Sequence, residues 1–122
     1  MGGRGGGGPR GASVDETGTP GPVMSPVESA IRTAYRQLSQ MTGRDHLGND
    51  RSDWVNLAEL RARPEMQGLP RGEVDEMLRV LNRQRGINII PESNQSRMTS
   101  SDWAATVAIG NERRLLIRIR QH

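Results

Sequence analysis

The chain has 122 residues, 17 basic and 14 acidic side chains, a net charge of +3 and no cysteine. That length fits one domain of ~100–200 residues, and the missing thiols exclude disulfides, thiolate metal sites and a cysteine nucleophile. No apolar run approaches the ~20 residues needed to cross a bilayer, and no leader-like apolar stretch is visible, so a soluble, cytoplasmic protein without membrane contact is expected.

Phenylalanine is absent, and Tyr35, Trp54 and Trp103 are the aromatic residues. A core must therefore be built from Ile, Leu, Val, Met and Ala. Every basic residue is Arg. A guanidinium stays protonated and forks two bonds onto a phosphate or carboxylate. Nucleic-acid binding would use that property, but arginine-favouring codon usage would produce the same composition. The placement of the arginines has to decide.

Residues 1–24 are dominated by Gly and Pro, with Arg4 and Arg10 balancing Asp15 and Glu16. Such a segment has too little apolar surface to offset its ordering entropy, so a flexible, solvated arm is expected. Two arginines among glycines are too few for an RGG-type RNA-binding tail. The folded part is expected over 25–122.

Ser25-Pro26-Val27-Glu28 supplies a capping serine, a proline at the first helical position and a glutamate at the third. Val27, Ala30, Ile31, Ala34, Tyr35, Leu38 and Met41 then keep helical spacing, which predicts a helix over 26–41. Residues 42–53 read as polar loop. Trp54-Val55 suits a brief edge pairing. Asn56 with Glu59 marks a second, short helix that Pro64 ends. After Gly68-Leu69-Pro70, a third helix is expected over 71–85, with Val74, Met77, Leu78 and Leu81 inward and Gly86 as its stop.

The period then falls to two. Ile87 to Ile90 reads as a strand, and Leu115, Ile117 and Ile119 alternate with Arg114, Leu116, Arg118 and Arg120 in a half-buried strand. About twenty residues lie between, too long for a structureless hairpin loop. Thr99 and Asp102 can cap a short helix there, with Trp103 and Val107 four apart and Gly110 as its stop.

This order resembles the winged helix-turn-helix family through the run Trp54-Val55-Asn56-Leu57-Ala58-Glu59-Leu60, the helix between Pro70 and Gly86, and the strand pair at 87–91 and 114–120. The resemblance covers about four-fifths of the chain and rests on element order and apolar spacing. It implies an α+β fold: a winged-helix-like three-helix core with a small β-hairpin and, as a departure from the family pattern, an extra short helix in the wing. It further implies that the third helix enters the major groove of double-stranded DNA and that the wing touches phosphates.

Carried over residue by residue, Arg71, Arg79, Asn82 and Arg83 would meet DNA from the helix. Asn94, Gln95, Arg97, Arg113 and Arg114 would meet it from the wing, as in a transcriptional regulator. Against this, Glu73, Asp75 and Glu76 occupy the first turns of that helix and repel phosphate, and Asp75 stands at i, i+4 to Arg79 as an ion pair. The row Arg114, Arg118 and Arg120 is equally a charge defence of an edge strand. The alternative is a protein-interaction module of the same fold, with homodimerisation allowed. Trp103 is expected as core filler; exposed beside Val107, it would instead anchor a partner.

For catalysis, only His46 and His122 offer imidazoles, and no helical metal-ligand spacing or nucleophile motif occurs. The carboxylates sit at expected caps or solvent faces without apolar enclosure. An enzyme, a metal and a cofactor are not expected.

Overall fold

Apolar spacing in the first helix decides what it buries. In the computed structural model, which describes residues 24–120, α1 spans Pro26–Ser39 and buries Ile31, Ala34, Tyr35 and Leu38. Ser25 Oγ accepts the Glu28 amide at 3.1 Å, satisfying one of the unpaired donors of the first turn. The helix stops two residues before the expected end, so Met41 lies outside the stripe and is exposed. The Gly-rich arm, Met24 apart, and His122 lie outside the described residues.

The remaining elements are β1 (Val55–Asn56), α2 (Leu57–Arg61), α3 (Arg71–Asn82), β2 (Ile87–Ile90), α4 (Ser100–Ala105), β3 (Val107–Ile109), β4 (Glu112–Arg114) and β5 (Leu116–Ile119), with single 3₁₀ turns at Pro64–Met66 and Gln95–Arg97. The fold is mixed α+β, four helices with small antiparallel sheets. Asn56 caps α2 as expected, its Oδ1 accepting Ala58 N at 2.7 Å, whereas Glu59 does not complete a box and instead binds Arg51.

Helix α3 ends at Asn82, earlier than the expected 85. Its departure frees the Asn82 side chain to accept the Ile89 amide, and Gly86 at φ +83° makes the reversal into β2 that a side-chain-bearing residue would resist.

The brief edge pairing expected at Trp54-Val55 is β1, and the two further strands expected become four short ones. A three-stranded sheet has the order β1-β5-β2, and β3 and β4 form a separate hairpin through Gly110-Asn111. The expected single strand at 114–120 is divided: 112–114 pairs with β3, and 116–119 crosses into the sheet. Both Leu115 and Leu116 are buried at the crossing, where strict alternation expected Leu116 outward. The physical reason is cover on both faces: Asn56, the register partner of Leu116, is itself buried against Asp102 of α4. Below the sheet, Ile87, Ile89, Ile117 and Ile119 pack with Leu57, Leu60, Leu78 and Leu81 in one apolar core.

β5 has neighbours on both sides at Leu116 and Ile117, but Arg114 belongs to β4 and Arg118 flanks the part of β5 that β1 leaves uncovered. They also diverge in role: Arg114 binds Glu112 and the Ile89 carbonyl, and Arg118 lies over the Trp54 ring at 5.4 Å.

Candidate functional site

Three arginines from α2 and α3 converge on one strip of main chain. Arg61 Nε donates to the Ala105 carbonyl at 2.9 Å, Arg71 Nη2 to Thr106 at 3.1 Å, and Arg79 Nε to Ala108 at 2.9 Å. Asp75 links two of them, accepting from Arg61 at 2.7 Å and Arg71 at 3.3 Å. The expected Asp75–Arg79 pair is therefore absent; Arg79 instead meets Glu76 at 3.4 Å. These bonds tie the α4–β3 segment along α3. Arg61 is largely buried, which pushes its guanidinium below the ordinary arginine range against the opposing bond to Asp75.

Asn82 and Arg114 act together on β2. The outward amide of Ile89 donates to Asn82 Oδ1 at 3.0 Å, and its carbonyl accepts from Arg114 Nη1 at 3.0 Å. Side chains thus close a strand edge that would otherwise present free peptide groups to another chain. Arg113 likewise turns inward, donating to Thr106 Oγ1 at 2.9 Å. Of the nine residues expected at a DNA surface, Arg71, Arg79, Asn82, Arg113 and Arg114 hold the fold together. Arg83, Asn94, Gln95 and Arg97 are exposed, and Arg83 and Arg97 form no salt bridge among the described residues. Arg71 and Arg113 both meet Thr106, whereas Asn82 and Arg114 both meet Ile89. What α3 leaves exposed is Arg71, Gly72, Glu73 and Glu76, with Arg83 just past its end, a surface of mixed charge.

Trp103 departs from its expected place. It is 36% exposed and outside the core cluster, while Val107 is fully buried in β3. Helix α4 ends at Ala105, so the two never share a helical face. The indole borders a groove of about 270 Å³ with Pro91, Gln95, Asn111 and Glu112.

A buried polar cluster was hidden from sequence reasoning. His46 Nε2 lies 2.8 Å from Asp102 Oδ2, and that carboxylate, without solvent exposure, also accepts Thr99 N at 2.8 Å, Thr99 Oγ1 at 3.1 Å and Asn56 Nδ2 at 3.4 Å. The bond to Asp102 raises the His46 pKa, with Asp45 and Glu59 adding to it and burial opposing. Burial pushes Asp102 up, but the bonds from His46 and Thr99 outweigh it and hold the carboxyl below its usual value. The Thr99–Asp102 capping box was visible; that it also receives a loop histidine from 56 residues away was not.

Asp45 and Glu92 are also buried. Asp45 accepts the amides of Leu47 and Asn49, and Asn49 Nδ2 bridges to Glu92 at 2.8 Å. The loop expected at 42–53 is therefore ordered by carboxylates turned inward, not outward. Among the described residues no group of three or more His, Asp or Glu side chains is placed to hold a metal ion. No family model, no curated protein and no solved structure matches the chain.

Proposed function

We propose that the protein is a non-catalytic interaction module of winged-helix type that binds a protein partner and does not read duplex DNA through α3. The sheet order β1-β5-β2, with α1 before β1 and α2-α3 between β1 and β2, supports the winged-helix reading. In that frame α4 and the β3–β4 hairpin are an enlarged wing folded back along α3.

One observation carries the functional reading: two of the arginines that would face phosphate, Arg71 and Arg79, are bound to the carbonyls of Thr106 and Ala108. Moving both onto DNA would strip two charge-assisted bonds, each worth at most ~1.5–3 kcal/mol before solvent screening, since both side chains are partly exposed. It would also leave Glu73 and Glu76 facing the backbone. Trp103, an exposed indole beside a groove, supplies the kind of rigid anchor that dominates protein interfaces.

Fluorescence anisotropy with labelled duplex at low and high salt is the test. No saturable binding is expected through α3, and Glu73→Gln with Glu76→Gln leaves that result unchanged. Saturable binding with a log-log salt slope of about −0.9 per phosphate contact, strengthened by those substitutions, would restore the DNA reading. A partner retained after nuclease treatment and lost on Trp103→Ala identifies the protein-binding face.

A further inference from the structure

The arginines left over from the internal framework gather at one end of the sheet. Arg83 and Arg85 flank the turn from α3 to β2, and Arg120 joins that turn directly, its amide donating to the Gly86 carbonyl at 2.8 Å. Arg118 projects from the same strand, opposite Asn88 in register. Arg32 of α1 reaches Gln84 in the turn at 3.2 Å, so Arg36, one helical turn on, follows on the same face of α1. Arg36, Arg83, Arg85 and Arg120 are exposed. None of these four, nor Arg118, forms a salt bridge among the described residues, whereas Arg61 of α2 and Arg71 and Arg79 of α3 are paired. Close like charges repel, so guanidinium groups gathered there without a salt-bridge partner among the described residues cost stability.

Beside α1 lies a polar groove of about 410 Å³, lined by Tyr35, Arg36, Ser39, Gln40, Ser52 and Ile119, of which Arg36 belongs to this cluster. Its floor is an unfinished sheet edge. β1 pairs with β5 only at Ile117 and Leu116, and the chain before Val55 turns away. Successive residues of an antiparallel strand bond to opposite neighbours. Arg120 N bonds toward β2, and Leu115 O accepts Leu57 N on the β1 side. Ile119 therefore aims its main-chain N–H and C=O into the groove, with no ladder partner on that side. The β2 edge, by contrast, is closed by Asn82 and Arg114.

We propose that this groove docks an extended acidic segment of a partner protein. The partner's main chain would complete the β5 edge at Ile119, and its carboxylates would be bound by Arg36, Arg118, Arg120 and the Arg83–Arg85 turn. Strand addition gives main-chain bonds with alternate side chains for specificity, and forked guanidinium–carboxylate pairs supply the charge match. A nucleic-acid backbone would match the charge but has no use for the peptide pair at Ile119, which is why the observations favour a polypeptide. The inference rests on the protein-binding reading above and adds the chemistry of the ligand.

The experiment titrates the full chain against a fluorescein-labelled octapeptide alternating Glu with Val, at low and moderate salt. Arms are Arg85→Gln with Arg120→Gln, each of the two alone, Arg97→Gln as a control that matches the single variants in charge, a Gln-for-Glu peptide, and the acidic peptide N-methylated at alternate amides. Expected are saturable binding of the acidic peptide, a loss of about tenfold or more in the double variant and on N-methylation, and little change with Arg97→Gln. Circular dichroism verifies that the double variant is folded; if it is not, Arg36→Gln is used in its place. Equal binding of the Gln peptide, indifference to Arg85 and Arg120, or tighter binding of a single-stranded oligonucleotide of equal charge overturns the proposal. Absence of acidic-peptide binding by the wild-type chain, with retention of a Trp103-dependent partner, refutes this site alone and leaves the protein-binding reading intact.

Discussion

Replacing Asp102 by Ala removes a single buried carboxylate with four donors around it. Loss of the reciprocal half of the α4 capping box, which leaves the Thr99 amide without its acceptor, costs about 1 kcal/mol. Leaving Asn56 Nδ2 buried without an acceptor costs about another 1 kcal/mol. The bond from His46 adds under ~1 kcal/mol, because the imidazole is nearly half exposed and solvent screens it. The total is about 3 kcal/mol at pH 5.5, which lowers Tm by roughly 12–24 °C for a domain of this size.

The pH dependence has a definite sign. The folded pKa of His46 is raised above 6.5, so its contribution is fully present below that value and is lost as pH rises through the folded pKa. The folded pKa of Asp102 is lowered below 3.8, so its contribution persists above that value and fades only as pH falls through the depressed pKa. Urea unfolding of wild type and Asp102→Ala at pH 5.5 and 8.5 measures both. The gap between the two proteins should narrow by up to about 1 kcal/mol at the higher pH. A gap under ~0.5 kcal/mol at pH 5.5, or one that widens with pH, refutes the reasoning.

Arg61→Met breaks a half-buried bridge and frees Asp75 on that side; a destabilisation of about 2 kcal/mol is expected by chemical denaturation, more than for the exposed Arg97→Met, which should stay within about 0.5 kcal/mol. Leu78→Ala opens a cavity at a fully buried position and should cost ~2–5 kcal/mol in the same assay. Asn82→Ala leaves the Ile89 amide without its acceptor and uncovers the β2 edge; light scattering on warming should show association at a lower temperature than for wild type, at an unfolding cost of about 1–2 kcal/mol. Trp103→Ala should leave thermal stability within about 1 kcal/mol, since the indole lies outside the core.

The helices were legible because each declares itself locally. Ser25 and Thr99 cap their helices as the sequence indicated, Gly86 ends the α3 region, and the apolar residues of α1 and α3 lie inward at helical spacing. What failed was non-local. The strand at 114–120 looked continuous, yet its halves belong to different sheets, because α4 covers Asn56 and Leu116 from the outside and no periodicity encodes that cover. Trp103 looked like filler because large apolar residues usually are. His46 looked like loop, since its partner is brought near only by the folded wing.

The arginines carry the same lesson one level up. A guanidinium can satisfy two acceptors in one plane, so Arg61, Arg71, Arg79 and Arg114 can close open carbonyls where Lys, a point charge, would hold less orientation. Substituting all four by Lys would keep the net charge and the solvated field. It would loosen the hairpin from α3 and the guard on Ile89. Composition and charge are blind to that difference. Amide exchange at β3 and at Ile89, faster in the Lys variant while the α1 core exchanges as before, would separate arginine as a structural brace from arginine as a mere source of charge. Unchanged exchange would mean that charge alone suffices at these positions.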